Sequence, residues 1–434
     1  MTRHDFLHAW MEGRHAGVFE RIDDTITFTY DEDLGYPISL SMPRAGGWAR
    51  KAPARFLDNL LPDDPAMRTV MAINTQSASD DAFDLLDCAD TTGGMTFSRT
   101  DEPPETTPTP PAIADPMVIA GRIAVLRRAP ESWWETSSPV RFSLAGSQSK
   151  FSLAYRDGKW LWPDWTHPST HILKPAAART PDAEEIETAS MRLSLMSGTP
   201  TPRSGILTFE GQHSYVVERF DRLREPDGHV IRVHTEDMAQ ALGLPPSRKY
   251  TVKAKQILSI LHATDPSDAL SYEWIRRLAL NTSIGNTDAH AKNYSVYLRP
   301  DGVSIAPMYD VITTTYWPWV DKTLPMEIGG VRGAKQLTPH HWRKLAEDNA
   351  LDPDTVERIA RNTAWLVLDN MDAAYANLPT RMADTLRMKV SDANTNMQPE
   401  PPEDEQPAIQ EPYGMLPLDG LHPDGPADTV THTR

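Results

Sequence analysis

The chain has one cysteine, Cys88, among 434 residues. An intrachain disulfide and a thiolate metal cluster each need at least two, so both are excluded and a reducing compartment is expected. No window approaches the roughly 18 apolar residues of a membrane span, and the opening MTRHDFLHAW has no apolar run of signal-peptide length. A cytoplasmic protein with no membrane attachment is the expectation. Cations are in deficit: 43 Lys and Arg face 60 Asp and Glu, for a formal charge of −17. Broad nucleic-acid or anionic-lipid surfaces need clustered Lys and Arg, so DNA contact would have to come through a local patch or a partner. What is present is enough to fold: 39% of the residues are apolar, sufficient for the cores of roughly two or three domains.

From Gly17 to Pro43, GVFERIDDTITFTYDEDLGYPISLSMP alternates with the period of half-buried strands and turns at Asp23-Asp24. In FLDNLLPDDPAMRTVMA, Leu57, Leu60 and Leu61 lie at helical spacing and Pro62 ends the helix. Residues 1–100 therefore read as a small β-rich unit. Asp101 to Pro116 carries six prolines, which favour extended, unpaired backbone, so 101–117 reads as a linker. Strand-like runs dominate from Val118 to Arg222, in RFSLAG, KFSLAYRDGKWLWP, THILK and SYVVERF. One helix interrupts them, with Thr180 as N-cap, Pro181 first, acids in the first turn, Ile186, Ala189 and Leu193 on its apolar face and Gly198 as its stop. That makes 118–231 an α+β unit. Residues 232–397 are mainly helical, as in YTVKAKQILSILHA and SYEWIRRLALNTSIG. Beyond Gln398 eight prolines and eight acids face one Arg, and 398–434 reads as a disordered acidic tail.

The stretch NTSIGNTDAHAKNYSVYLRPDGVSIAPMYD, Asn281 to Asp310, carries the chemistry. Two extended runs flank Pro300-Asp301-Gly302, and Asp-Gly between strands is a hairpin signal. A turn centred on Asp301-Gly302 would place Asn293 opposite Asp310, with Asp288 five residues upstream. Two carboxylates and an amide oxygen suit a hard cation such as Mg2+, which takes one or two carboxylates and fills its shell with water and phosphates. Asp288 and Asn293 also have the Asp-x-x-x-x-Asn spacing of a kinase catalytic loop, which points to phosphoryl transfer. Such a site needs a cation for the phosphates. Lys174, at the end of THILKP, is placed for it, with Glu187 on the following helix as its partner, while Glu184 and Glu185 suit the helix dipole. FSLAGSQSK, Phe142 to Lys150, offers a tight turn at Gly146 able to present N–H groups to phosphate, although a G-x-G-x-x-G loop is missing.

Together SLAGSQSK, HILKP, VERFDR, GNTDAHAKN and MYD, with ISLSMP and FLDNLLPDDP before them, resemble the HipA family of toxin-antitoxin serine/threonine kinases over about residues 10 to 390. The resemblance implies an α+β, two-lobed kinase-like fold: a β-rich N-terminal unit, an α+β nucleotide lobe and a mainly α C-terminal lobe. It implies Mg2+ and ATP as cofactors, Asp288 and Lys174 as catalytic residues, and Asn293 and Asp310 as metal ligands. Ala145, Gly146, Ser147, Gln148, Lys150, Lys174, Glu218, Phe220, His290 and Lys292 would bind nucleotide, and Ser143 would be autophosphorylated. It further implies a helix-turn-helix antitoxin of the HipB kind as partner, DNA contact only through it, and a protein substrate, possibly an aminoacyl-tRNA synthetase. Two departures stand out: Ser149 replaces the Glu usual in related loops, and Asp310 is followed by Val-Ile where many kinases have Phe-Gly.

Rival readings are a non-catalytic regulator that binds the antitoxin, and a kinase acting on a lipid or small molecule. Retention of Lys174, Asp288, Asn293 and Asp310 together favours catalysis over the first. Ser147-Gln148-Ser149-Lys150 fits the S-x-x-K of acyl-enzyme hydrolases, but the accompanying S-D-N and K-T-G do not occur, Lys322-Thr323-Leu324 coming nearest. His4 and His8 stand at i and i+4, the spacing of metal ligands on a helix, with no third ligand apparent.

Overall fold

A computed structural model describes residues 4–87, 89–104, 110–129, 150–164, 166–225 and 228–403. Strands β1 (His4–Met11), β2 (Arg14–Ile22), β3 (Thr25–Tyr30) and β4 (Met95–Ser98) form an antiparallel sheet in the order β3-β2-β1-β4. Period-two alternation turns Leu7, Ala9 and Met11 of β1 into the core, all fully buried. The Asp23-Asp24 turn is present, since Ile22 pairs with Thr25. Helix α1 (Ala52–Asn59) closes this core with Phe56 and Leu57, followed by α2 (Pro65–Thr75) and the short α3 (Ala82–Leu85).

The Pro-rich stretch behaves differently from a free linker. Ala114 N donates to Trp160 O at 2.9 Å and Trp162 N to Ala112 O at 2.8 Å, so part of it is hydrogen-bonded to a sheet edge. Helix α4 (Pro116–Arg128) then occupies residues expected to begin a strand-rich run. Its signals are ordinary: Asp115 caps Met117 N at 2.8 Å, Pro116 sits in the first turn, and Ile119, Ile123 and Leu126 are buried at helical spacing.

Five antiparallel strands follow, β5 (Phe151–Arg156), β6 (Lys159–Leu161), β7 (His171–Lys174), β8 (Ser204–Phe209) and β9 (Gln212–Glu218), ordered β6-β5-β7-β9-β8. This sheet is shared by two cores. Val216 of β9 joins Leu173, Phe151 and the N-terminal unit on one side, while its neighbours Tyr215 and Val217 join α5 (Ala183–Met196) and the helical lobe on the other. That is why SYVVERF reads as a continuous apolar run and not as an alternating one.

Helix α5 starts later than its Thr180-Pro181 signal. Asp182 takes a left-handed conformation (φ 64°), which breaks the helical path, and the helix begins at Ala183, while the Pro181 carbonyl accepts from Trp317 Nε1 at 3.1 Å. Gly198, at φ 80°, follows its end as expected. The chain continues through β10 (Arg222–Arg224), β11 (Val230–Arg232) and β12 (Thr235–Asp237) to helices α6 (Met238–Ala241), α7 (Ala254–Thr264) and α8 (Ala269–Ser283). The hairpin β13 (Ser295–Arg299) and β14 (Gly302–Ile305) adds to β12, and α9 (Pro339–Glu347), α10 (Pro353–Ala374) and α11 (Thr380–Ala393) complete the helical lobe. Among the described residues no helix is long and apolar enough to cross a membrane.

Candidate active site

Strand β7 lies at the centre of its sheet and ends in Lys174, whose ammonium is carried out of the apolar run His171-Ile172-Leu173 to the base of a cleft. Lys174 Nζ is 2.8 Å from Glu187 Oε1, one turn into α5, and also contacts Asp310 Oδ1. The Tyr215 ring lies beneath it, 5.5 Å from Nζ to centroid. Burial alone would lower the Lys174 pKa, but Asp310 and Glu187 hold it above the usual lysine range. Burial, reinforced by Asp310, pushes the Glu187 carboxyl up against the pull of Lys174. For Asp310, burial acts upward and the Lys174 and Lys150 charges outweigh it, holding the carboxyl down at about 2. Glu184 does more than complement the helix dipole: its Oε1 accepts from Ala176 N at 2.9 Å and from Arg127 Nη2 at 3.0 Å, tying β7, α5 and α4 together.

Asp288, Asn293 and Asp310 line this same cleft, but not for the reason the sequence suggests. Arg299 pairs with Gly302 and Val296 with Ile305, so the two-residue loop is Pro300-Asp301 and the register differs by two from one in which Asn293 faces Asp310. A type I turn favours Pro at its second position and Gly at its fourth, the frame adopted here. Side chains hold the ends together instead. The Tyr309 hydroxyl bridges Lys292 O at 2.7 Å and the Ser295 hydroxyl at 2.6 Å. Asn286 Nδ2 donates to Asn281 Oδ1 at 2.8 Å and to Asp310 O at 3.2 Å, while Asn286 Oδ1 accepts from Asp288 N at 3.1 Å. Asp310 itself is left-handed, at φ 52°, a conformation that Asp tolerates better than most residues and that marks functional loops. Gly285 is needed where the loop leaves α8: its φ is 74° and a Cβ would lie 2.5 Å from Thr315 Oγ1.

Asn293 Nδ2 donates to the Asp288 carbonyl at 3.0 Å. Asp288 keeps an exposed edge and its Oδ1 accepts from the Tyr250 hydroxyl. Desolvation by the surrounding walls raises its pKa, with Tyr250 and Lys249 opposing and Asp310 adding to the rise. His290 is buried edge-on to Tyr250 and driven down to about 3, chiefly by burial. Its Nδ1 is buried with no hydrogen-bond partner, and the residue lines the cleft.

Lys150, Glu218 and Phe220 also line the cleft. Phe220 stacks on Tyr309 with centroids 5.1 Å apart. Lys292 lines the cleft, and its three donors go to Asn59 O, Asn59 Oδ1 and Asp237 Oδ2, at 3.2, 3.0 and 2.8 Å, tying the N-terminal unit to the helical lobe. Ser143, Ala145, Gly146, Ser147 and Gln148 lie outside the described residues, as does the tail beyond 403. Sequence reasoning missed Tyr250 and Lys249, whose distance along the chain gives no local signal, and Asn286, which lies inside GNTDAHAKN.

VERFDR has a second task. Arg219 and Arg222 surround Asp90 at 3.6 and 3.0 Å, Arg219 pairs with Asp221 at 2.7 Å, and Gly93 N donates to Asp221 Oδ2 at 2.6 Å. The segment that lines the cleft at Glu218 and Phe220 is thereby bolted to the N-terminal unit.

Residues 142–371 match the HipA-like C-terminal domain and residues 7–98 the HipA N-terminal domain. Y4mE of Sinorhizobium fredii, provisionally named as a kinase, is 32% identical over 410 residues, 90% of this chain and 95% of its own length. The chain belongs to the HipA family. The serine/threonine-protein kinase toxin HipA of Shewanella oneidensis is 27% identical over 330 residues, covering 71% of this chain and 75% of that one. A structure of Shewanella HipA in complex with HipB and its operator DNA superposes with a TM-score of 0.76 at 22% identity, over 90% of this chain and 96% of that one. This chain therefore has the two-lobed α+β HipA fold.

Proposed function

We propose that this HipA-family protein is a Mg2+-dependent kinase that passes the ATP γ-phosphoryl group to a serine of a protein substrate. One observation carries the reading: Lys174 sits between Glu187 and Asp310 in the cleft that also holds Asp288 and Asn293. Lys150 lines the same cleft and adds a second cation beside Lys174 for the phosphates.

Asp310 and Asn293 would hold Mg2+ through the hard oxygen donors that this ion prefers. The bound ion would offset phosphate charge. Lys174, kept cationic and positioned by Glu187, contacts the phosphates, and Lys150 adds a second charge. Glu218 and Phe220 border the adenine, with the Phe220–Tyr309 stack as an apolar wall. Asp288, oriented by Tyr250 and with its pKa raised, receives the proton of the attacking hydroxyl. His290, in the lining of the cleft, borders the nucleotide. By family resemblance Ala145, Gly146, Ser147 and Gln148 form the phosphate-binding loop and Ser143 is self-modified. The same resemblance points to an aminoacyl-tRNA synthetase as substrate and a cytoplasmic setting. A HipB-like helix-turn-helix antitoxin is the partner, supported by the HipB in the related Shewanella complex, and contact with DNA runs through it.

Purified protein incubated with labelled ATP, Mg2+ and cell lysate is expected to label a discrete protein band on serine, and peptide mapping to place self-phosphorylation on Ser143. Label confined to lipid or small molecules would reject the protein-kinase reading.

A further inference from the structure

The N-terminal sheet carries a second constellation, remote from the cleft residues described above. His4 and His8 are on strand β1, not a helix, and His4 turns to Glu20 at 2.6 Å. His8 has another partner. Ala9 pairs with Gly17 but Trp10 with His15, so Ala16 is an extra residue in β2. In an unbroken ladder His15 would face Met11 and share its buried side. The bulge turns it to the side of Trp10 and His8, the re-aiming that bulges provide. Gly17 specifies the irregularity: its φ is 144° and a Cβ would lie 2.2 Å from Thr29 O.

His8 Nδ1 and His15 Nε2 stand 3.2 Å apart, and Asp101 Oδ1 lies 3.5 Å from the first and 3.9 Å from the second. Two ligands about 2.0–2.1 Å from a tetrahedral Zn2+ are about 3.3–3.4 Å apart. The histidine pair, a hydrogen-bond contact at 3.2 Å, lies within about 0.2 Å of that spacing, and the Asp101 side chain, 80% exposed, has room to close the rest. His15 also has the outer partner that zinc-binding histidines carry: its Nδ1 is 2.8 Å from Asp31 Oδ2. That contact fixes the proton on Nδ1 and leaves the Nε2 lone pair for a ligand.

We propose that His8 Nδ1, His15 Nε2 and a carboxylate oxygen of Asp101 form a tetrahedral Zn2+ site, with water as fourth ligand and Asp31 orienting His15. Because Asp101 opens the connection to α4, the ion would fasten that connection to the outer face of β1 and β2.

The test is calorimetric titration of untagged, chelator-stripped full-length protein with Zn2+. One equivalent is expected to bind. His8→Ala and His15→Ala should lose it, Asp31→Asn should weaken it by about 10- to 100-fold, and His213→Ala, in the separate cluster with Glu184 and Glu185, should leave it unchanged. No saturable binding by the unsubstituted protein, or unchanged binding in both histidine variants, would overturn the proposal. Co2+ gives a readout that needs no variant to fold: intense visible bands mark four-coordination, and weak six-coordinate bands would overturn it equally.

Discussion

Glu187 gives the most exacting test of how Lys174 is held. Its carboxylate is buried, 2.8 Å from Nζ, and Asp310 is the other carboxylate on the same ammonium. Glu187→Gln keeps an acceptor of similar shape but removes its charge. A hydrogen bond to a charged group contributes about 1.5–3 kcal/mol and a neutral one about 0.5–1.5 kcal/mol, so the ammonium loses about 1–2 kcal/mol of restraint towards α5. If that restraint is felt in the transition state, kcat/KM for MgATP falls about 5- to 30-fold. Glu187→Ala removes the acceptor altogether and leaves a buried cation paired on one side only, a loss of about 3–5 kcal/mol, so a further drop of at least about fivefold is expected. Initial rates of phosphate transfer at varied MgATP, with thermal melts to confirm folding, measure both. A folded Glu187→Ala enzyme with unchanged kcat/KM would refute the idea that this pair positions the lysine.

Lys292→Met should lower the urea-unfolding free energy by about 3–5 kcal/mol, because Asp237 and Asn59 lose a buried cation; unchanged stability with a raised KM for ATP would show a nucleotide contact instead. Burial acts to raise the Asp90 carboxyl, but the charges of Arg222, Arg232 and Arg219 outweigh it and hold it well below the usual range. A depressed folded-state pKa stabilises the fold above the unfolded value of about 3.9 and loses that contribution as pH falls. The stability difference between the unsubstituted protein and Asp90→Asn should therefore be constant above about pH 5 and shrink below about pH 4; a difference independent of pH would contradict the arrangement.

The local signals were legible where short-range chemistry decided the outcome. The Asp23-Asp24 turn, the apolar face of α5 and the Lys174–Glu187 juxtaposition could be read from spacing and residue type, whereas residues 288, 293 and 310 share a cleft for a reason other than the pairing that suggested it. The hairpin register could not, because Asp301-Gly302 and Pro300-Asp301 are both good turns and the choice shifts every pair by two. Helix α4 was hidden by a Pro-rich approach, although Asp115-Pro116 is a proper start signal. Lys292 shows the deeper limit. Its partner Asn59 lies 233 residues away, so no window on the sequence separates a phosphate-binding lysine from one that locks two units together.

The central assignment is tested most directly by Asp288→Asn, which keeps the size of the side chain and an acceptor for Tyr250 but removes the base. Phosphate incorporation from labelled ATP should fall to background while the melting temperature and nucleotide binding stay close to those of the unsubstituted protein. Full incorporation by a folded Asp288→Asn protein would contradict the assignment of this cleft as a phosphoryl-transfer site with Asp288 as its base.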